Sequence, residues 1–213
     1  ALTAAGWLSF PETLLLVQKR GELMQRCCEE KRGTMAVLLG GEVEAISSWV
    51  QNSPFAKELW VANYNAPTQT VLAGTERAII WAQQTAEQLG VKRVVPLEVA
   101  GAFHSGLMAK AREELATHLQ MAPLIQGKSR LAMNVTGAFV DDLQQVRQNL
   151  MAQVTESVRW SKILAEMEKE GVDTYVTFGP GKSLAGIHKQ NKLHGTGIIV
   201  EGIADIELLQ KGV

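Results

Sequence analysis

The order of apolar segments between Met35 and Leu97 constrains the fold more than any other feature of the sequence. A short apolar strand is followed by helical spacing, then by two strand-like segments on either side of the turn sequence at residues 65–67. A second helical segment ends at Gly90, and another strand follows it. The order strand, helix, strand, strand, helix, strand is the pattern of a ferredoxin-like domain. The sequence therefore predicts a small subdomain over residues 34–97.

Helices and strands also alternate on both sides of this segment. Ser9, followed by Pro11 and Glu12, predicts the start of a long first helix. After residue 97 we expect a helix at 105–119, a strand at 130–135, helices at 143–154 and 161–170, a strand at 173–178, a short helix from Lys182 and a strand at 198–200. Such alternation is typical of a parallel α/β sheet. Residues 1–33 and 98–213 are predicted to form one large α/β domain.

Composition argues against several classes of partner. The formal net charge is −1, so no electrostatic attraction to nucleic acid or to an anionic membrane is predicted. No apolar run approaches the roughly 20 residues that a membrane span requires, and the first residues lack the features of a signal peptide. The only cysteines, Cys27 and Cys28, are adjacent and cannot build a disulfide framework. We therefore expect a cytoplasmic protein.

A histidine stands at a turn between a predicted strand and a predicted helix. Residues 94–99 are predicted to form a buried strand that runs into Gly101, and Ser105 is a good N-cap for the helix that follows. His104 would then protrude at the carboxyl end of a sheet strand, which is the usual place for chemistry in open α/β folds. The alternative is a histidine at a helix start with no chemical role.

Arg20 is the second candidate for a functional side chain. It lies among apolar positions of the first predicted helix, where a guanidinium is costly to bury unless it meets an anion. One interpretation is a bidentate clamp for a substrate carboxylate; the other is a surface arginine whose charged end reaches water. Asn65 and Gln69, at the predicted hairpin, are either turn residues or polar groups that face a cleft.

The stretch Gly179-Pro180-Gly181-Lys182-Ser183 approaches two catalytic motifs without completing either. A phosphate-binding loop needs a glycine where Val176 stands, and a nucleophile elbow around Ser183 would end in alanine where the motif has glycine. A tight turn is the simplest interpretation, and a hydrolase that uses Ser183 stays an alternative. No metal site is predicted, because the four histidines are scattered and the cysteines lack a zinc spacing.

Six segments, taken in order, resemble those of one family. They are residues 2–6, 19–25, 61–69, 101–105, 157–160 and 178–182. Together they resemble the malonyl-coenzyme A:acyl carrier protein transacylases and the related acyltransferase domains of fatty-acid and polyketide synthases. The resemblance runs along nearly the whole chain. It implies a hydrolase-like α/β domain with an inserted ferredoxin-like subdomain, and transfer of a malonyl group from malonyl-CoA to the phosphopantetheine thiol of acyl carrier protein through an acyl-serine.

The resemblance also implies roles for individual residues. His104 matches the general base, Arg20 matches the arginine that binds the malonyl carboxylate, and Phe103 matches a bulky neighbour that crowds out a 2-methyl group. We also predict that Asn65 and Gln69 bind substrate. Backbone carbonyls near residues 157–160 are expected to orient the imidazole. The coenzyme A thioester is expected as a substrate, with no cofactor and no metal.

One part of the family pattern is absent from these 213 residues. They contain neither the Gly-His-Ser-Leu-Gly elbow that carries the nucleophilic serine nor the glycine–glutamine segment of the oxyanion hole. Ala1 corresponds to a position just beyond the elbow. We therefore expect the chain alone to be inactive in transfer. The alternatives are an acyltransferase domain of a polyketide synthase and a noncatalytic remnant that binds carrier protein.

Overall fold

A computed structural model of the chain describes residues 1–210, which separate into two compact units, 1–163 and the residues from Leu164 onward. The helices and strands of the first unit are α1 (Phe10–Glu30), β1 (Thr34–Gly40), α2 (Val43–Gln51), β2 (Leu59–Ala66), β3 (Gln69–Gly74), α3 (Glu76–Thr85), β4 (Val91–Pro96), α4 (Ala109–Met121), β5 (Leu131–Met133), β6 (Ala138–Val140) and α5 (Leu143–Ala152). The rest are α6 (Trp160–Lys169), which spans the boundary, β7 (Thr174–Phe178), α7 (Ser183–Gln190), β8 (Thr196–Val200) and α8 (Ile203–Gln210). No helix of this described part is long and apolar enough to cross a membrane.

The first four strands form one antiparallel sheet in the order β2-β3-β1-β4. The predicted order of elements over residues 34–97 is observed, including the hairpin of β2 and β3. One face of the sheet packs against α2 and α3 through buried side chains such as Ile46 and Ile79. The other face carries Met35 and Ala73 and packs against Ala102. The sheet therefore has one face for its own helices and one for the segment that contains the histidine turn.

The strand before the histidine turn is shorter than predicted. β4 ends at Pro96 and Val99 is exposed, so the predicted buried strand at residues 94–99 is wrong. β4 is an edge strand antiparallel to β1, and a short apolar run cannot by itself distinguish an edge strand from a central one. Because β4 ends at Pro96, His104 does not stand directly at the carboxyl end of the strand, where the sequence predicted it.

Strand pairing elsewhere also differs from the predicted parallel sheet. β5 and β6 form an antiparallel hairpin, because the chain reverses at Gly137, which adopts φ 62°. β7 and β8 are parallel and are connected by α7. The chain is therefore an α/β protein, but in its described part the strands that pair in parallel within a sheet are β7 and β8 alone.

The first residues are fixed by a glycine-terminated turn and by a buried tryptophan. Gly6 adopts φ 75°, and the N–H groups of Gly6 and Trp7 donate to the carbonyls of Thr3 and Leu2 at 3.1 and 2.9 Å. These two bonds have the pattern of a Schellman motif. The indole of Trp7 is 1% exposed and donates to the carbonyl of Ser129 at 2.9 Å, which ties the start of the chain to the segment before β5.

Two neighbouring isoleucines of α3 test which face of this helix forms the core. Ile79 is 2% exposed, whereas Ile80 is 52% exposed. We expect Ile79→Ala to lower the free energy of unfolding by about 2–5 kcal/mol, and its matched control Ile80→Ala to change it by no more than about 0.5 kcal/mol. Urea unfolding followed by circular dichroism measures both values. Equal losses for the two variants would contradict the assigned face.

Candidate active site

The end of α5 fixes the orientation of His104. Its Nδ1 atom lies 2.8 Å from the carbonyl oxygen of Gln153, the C-terminal capping residue of α5. Because a carbonyl oxygen only accepts, Nδ1 carries the proton and Nε2 is an acceptor. The resemblance implied that carbonyls near residues 157–160 would do this; the closest such contact is to Gln153, a few residues earlier, and the backbone of Glu156, next to that segment, contributes as well.

The surroundings of His104 favour its neutral form. Burial lowers the pKa of the imidazole, and the positive charge of Arg20 lowers it further. Hydrogen bonds to the backbone of Gln153 and Glu156 act in the opposite direction and do not outweigh these effects. His104 therefore presents a neutral Nε2 that is able to accept a proton near neutral pH.

The backbone at His104 is strained, and its neighbours hold it in place. His104 adopts φ 56°, in the left-handed region that few residues other than glycine occupy. The hydroxyl of Ser105 donates to the carbonyl of Ala102 at 2.5 Å and accepts from the N–H of Leu107 at 3.2 Å. Ser105 therefore caps a short 3-10 helix, Gly106–Met108, whereas α4 itself begins at Ala109, four residues later than the predicted helix. A Cβ at Gly101 would collide with the sulfur of a buried cysteine. These contacts fix the turn that presents the imidazole.

Arg20 lies within α1 as a half-buried cation without a counter-ion. Burial lowers the pKa of its guanidinium, and no carboxylate of residues 1–210 forms an ion pair with it. Two other cations of the same helix do have partners, since Lys19 pairs with Glu22 and Arg26 pairs with Glu114. A half-buried guanidinium that lacks a carboxylate is suited to binding an anion from outside the chain.

His104, Arg20 and Phe103 line one cavity of about 400 Å³. Its other lining residues are Gly21, Met24, Gln25, Met35 and Asn63. Two further cavities adjoin it: an apolar one of about 340 Å³ shares Arg20, and one of about 200 Å³ shares His104. The structure thus brings a neutral base and an unpaired cation together in one open space.

Asn65 and Gln69 do not line this cavity, whereas Asn63 does. The pairing of β2 with β3 skips Ala62, so Asn63 pairs with Val71 on the sheet face that faces the histidine turn. A second irregularity skips Asn65. The side-chain oxygen of Gln69 is buried and has no hydrogen-bond partner within residues 1–210. A strict alternation along β2 cannot reveal which asparagine faces the cavity, because each bulge shifts the side chains that follow it.

Two other residues of the candidate site, Gly21 and Gln153, were not predicted from the sequence, although each leaves a signal there. Gly21 lies inside α1, where glycine costs about 1 kcal/mol relative to alanine, and a Cβ placed there would contact nothing within 4 Å. That open space is the cavity beside Arg20. Gln153 ends α5, and the last carbonyls of a helix always need a partner outside it. Which group supplies that partner depends on tertiary structure.

The turn at residues 179–183 belongs to the second unit. Gly179 and Gly181 adopt φ 124° and 97°, so the tight-turn interpretation is confirmed. The N–H of Gly181 donates to the carboxylate of Glu201 at 2.7 Å, which occupies a donor that a phosphate would need. Ser183 is exposed at the start of α7, and no hydrogen bond of its hydroxyl is found within residues 1–210. Nothing there activates Ser183 as a nucleophile.

The fold and the site define an α/β protein in which the half-buried residues His104 and Arg20 share a cavity. No family model matches the chain. Among curated proteins, the malonyl CoA-acyl carrier protein transacylase of Bacillus subtilis (strain 168) is 34% identical over 209 residues, which cover 98% of this chain and 66% of that protein. Among solved structures, MCAT from Streptococcus pneumoniae is 31% identical with a TM-score of 0.92, covering 100% of this chain and 70% of that one. A malonyl-transacylase in complex with its type II polyketide synthase acyl-carrier protein is 28% identical with a TM-score of 0.91, covering 100% of this chain and 69% of that one.

The chain belongs to the malonyl CoA-acyl carrier protein transacylase family. The resemblance carried by the six sequence segments is thereby confirmed. The chain spans just under two thirds of the length of the Bacillus subtilis relative. Within residues 1–210 no group of three or more histidine, cysteine, aspartate or glutamate side chains is arranged to hold a metal ion.

The electrostatic effect of Arg20 on His104 is directly measurable. Because the charge of Arg20 lowers the pKa of His104, we expect Arg20→Gln to raise that pKa toward the ordinary histidine value. NMR titration of the chain with ¹³C-labelled histidine measures the change. The matched control is Arg26→Gln on the same helix, whose side chain pairs with Glu114 and should leave the pKa of His104 unaffected. A wild-type pKa that Arg20→Gln leaves unchanged would contradict the proximity of the two groups.

The lowered pKa also has a consequence for stability. A histidine that is neutral in the folded state stabilises it fully above the pKa of the unfolded chain, and this contribution is lost as pH falls from there toward the folded pKa. We therefore expect His104→Gln to reduce the loss of unfolding free energy between neutral pH and mildly acidic pH. Urea unfolding at a series of pH values measures it, and an unchanged pH dependence would contradict the depressed pKa.

Proposed function

We propose that this chain supplies the general base and the carboxylate-binding arginine of an enzyme that transfers a malonyl group from malonyl-CoA to the phosphopantetheine thiol of acyl carrier protein. The observation that carries this proposal is the single cavity lined by His104 and Arg20. A malonyl thioester has the two features that such a cavity addresses, an electrophilic carbonyl and a carboxylate. The name of the Bacillus subtilis relative supports the same substrate and acceptor.

In the proposed mechanism His104 moves protons in both half-reactions. Nε2 accepts the proton of a serine hydroxyl as the serine oxygen attacks the thioester carbonyl, and His104 returns a proton to the departing coenzyme A thiolate. In the second half-reaction Nε2 accepts the proton of the phosphopantetheine thiol, whose sulfur attacks the acyl-serine, and the proton returns to the serine oxygen. The carbonyl of Gln153 accepts from Nδ1 throughout and stabilises the imidazolium that forms transiently.

Arg20 is proposed to select for the charged acyl group. A guanidinium binds a carboxylate through two parallel hydrogen bonds, and Arg20 has no internal carboxylate that would compete. Phe103 lines the same cavity, and its bulk is proposed to disfavour a 2-methyl branch. Asn65 and Gln69 stay proposed substrate-binding residues; the buried, unpartnered oxygen of Gln69 supports a polar role for that side chain.

The nucleophilic serine is proposed to come from polypeptide outside these 213 residues, because they contain no Gly-His-Ser-Leu-Gly elbow. The greater length of the relatives supports this proposal. An exposed apolar surface on the first half of α1 supports it as well. Its residues are Phe10, Leu14, Leu15 and Val17, each more than half exposed.

The proposed architecture is a hydrolase-like α/β domain, residues 1–33 and 98–213, with a ferredoxin-like subdomain at 34–97 inserted into it. The strand order β2-β3-β1-β4 supports the subdomain, and the parallel β7-α7-β8 unit is of the kind that builds the larger sheet. We also propose a cytoplasmic location, in line with the free thiols of Cys27 and Cys28. The proposed reaction needs the coenzyme A thioester and no further cofactor.

A second candidate has the same chemistry with a carrier protein of polyketide synthesis. The solved complex of a malonyl-transacylase with its type II polyketide synthase acyl-carrier protein supports it, since that enzyme has a TM-score of 0.91 to this chain. The ratio of kcat/KM for the two kinds of holo carrier protein separates the candidates. A strong preference for the polyketide carrier would favour the second.

The carboxylate clamp predicts selectivity that depends on Arg20. In the complete enzyme we expect Arg20→Ala to lower kcat/KM for malonyl-CoA by roughly 10- to 100-fold, the range for loss of a charged hydrogen bond. The much lower use of acetyl-CoA, which has no carboxylate, should change little. The control is Lys19→Ala, which removes a neighbouring cation that is paired with Glu22. An equal loss of kcat/KM for malonyl-CoA and acetyl-CoA would contradict the role of Arg20 as a carboxylate clamp.

The absent elbow predicts the behaviour of this chain in isolation. We expect no stable malonyl label on the 213-residue chain after incubation with radiolabelled malonyl-CoA, because His104 has no serine to deprotonate. Intact-mass spectrometry after the same incubation should give an unmodified mass. A malonyl group on Ser183 would instead revive the hydrolase alternative, and one on any other residue would contradict the missing-nucleophile proposal.

A further inference from the structure

A second polar cavity contains two cations that have no counter-ion. Arg159 and Lys162, at the start of α6, line a space of about 430 Å³ together with Tyr64 of β2 and residues of α2. Glu44 lines the same space, but neither cation forms an ion pair with it or with any other carboxylate of residues 1–210. Two unpaired cations in one cavity favour the binding of an anion.

Both cations are held in position by the hairpin of β5 and β6. The Nε atom of Arg159 donates to the carbonyl of Val135 at 2.9 Å, and Nζ of Lys162 donates to the carbonyl of Thr136 at 3.0 Å. The guanidinium carbon of Arg159 also lies 5.8 Å from the centre of the Tyr64 ring. These contacts leave the terminal nitrogens of Arg159 and two protons of the Lys162 ammonium for a ligand. The charges are therefore preorganised, which lowers the entropic cost of binding.

The other polar groups of the cavity suit an anion as well. Ser48 and Ser161 contribute hydroxyl groups to its lining. The first turn of α6 contains no acidic residue, although a helix start favours negative charge and disfavours Lys162 at this position. An anion bound between Arg159 and Lys162 would relieve this unfavourable placement.

The cationic cavity adjoins the histidine site through a smaller cavity. That space of about 200 Å³ is lined by His104 and by Ser157, and it shares Ser47, Gln51 and Tyr64 with the cationic cavity. The two cavities therefore lie side by side, with the hydroxyls of Ser47 and Tyr64 hydrogen-bonded at 3.2 Å on their shared border. An elongated ligand with its reacting end at His104 would run along this border, past Gln51 and Tyr64, and place its far end beside the cations. The polar lining of the connecting space suits a chain that contains amides.

We propose that Arg159 and Lys162 bind the phosphate at the end of the pantetheine arm, the chemical group that coenzyme A and acyl carrier protein have in common. The inference rests on the proposed function, because it takes a thioester at His104 as its starting point. It adds the path of the arm and the residues that recognise its far end. The pair thus distinguishes phosphorylated acyl donors from the same thioester without phosphate.

The test compares malonyl-CoA with malonyl-pantetheine, which has the same thioester but no phosphate, in calorimetric titrations of the full chain. We expect tighter binding of malonyl-CoA. Lys162→Gln should weaken that binding about tenfold, and adding Arg159→Gln should weaken it further, while the Kd for malonyl-pantetheine stays the same. The control Lys110→Gln removes a cation that is paired with Glu30 at 2.5 Å, and it should change neither value. Lys162→Arg, which keeps the charge, should retain most of the affinity for malonyl-CoA.

The outcomes separate this inference from the proposed function. Equal binding of the two thioesters, unaffected by Lys162→Gln, would overturn the phosphate site while leaving the acyl site intact. If neither thioester binds, the proposed function and the phosphate site are both overturned. A malonylated carrier protein distinguishes the sources of phosphate: weakening of both ligands by Lys162→Gln supports the shared phosphate, and weakening of malonyl-CoA alone restricts the site to the diphosphate of coenzyme A. A changed Kd for malonyl-pantetheine would show a general structural effect and would count against the site.

Discussion

The hydrogen bond between Nδ1 of His104 and the carbonyl of Gln153 is the interaction on which the candidate site depends. It fixes the tautomer, aims Nε2, and satisfies a carbonyl at the end of α5 that has no partner within its helix. A helix C-terminus carries partial negative charge, so the same contact stabilises the imidazolium that a general base must become. The groups that raise the pKa of His104 are backbone groups, those of Gln153 and Glu156.

The arrangement balances two opposing requirements. A base must be neutral before it acts, and burial together with the charge of Arg20 keeps His104 neutral. The proposed carboxylate clamp must be charged and unpaired, and no carboxylate of residues 1–210 forms an ion pair with Arg20. A malonyl carboxylate that binds Arg20 would cancel part of the charge that holds the pKa of His104 down. Substrate binding is therefore expected to strengthen the base.

Structural features that depend on residues adjacent in the sequence, such as helix caps, were predictable from the sequence. Ser9 and Ser105 were predicted to cap helices, and each accepts a hydrogen bond from a backbone N–H of the helical segment that follows. The order of elements over residues 34–97 was predictable because hydrophobic periodicity changes at each boundary. His104 was singled out because it stands at a turn between a predicted strand and a predicted helix, and Arg20 because it lies among apolar positions where a guanidinium is costly to bury.

Features set by pairing between distant segments were not predictable in this way. The strand before the histidine turn ends at Pro96, earlier than the apolar run indicates, and Asn63 faces the cavity because the β2–β3 ladder skips Ala62. Arg159 and Lys162 look like ordinary surface cations in the sequence. Only tertiary structure shows that they share a cavity and form no ion pair with a carboxylate of residues 1–210.

Whether the base and the clamp act on one ligand is best decided by titrating His104 with and without ligand. NMR titration of ¹³C-labelled histidine in the chain would be recorded free, with malonyl-pantetheine, and with acetyl-pantetheine. If the malonyl carboxylate neutralises Arg20 inside the shared cavity, malonyl-pantetheine raises the pKa of His104 more than acetyl-pantetheine does, and Arg20→Gln removes the difference. An identical His104 pKa with saturating amounts of the two ligands would show that the carboxylate binds elsewhere, and the shared site would have to be abandoned.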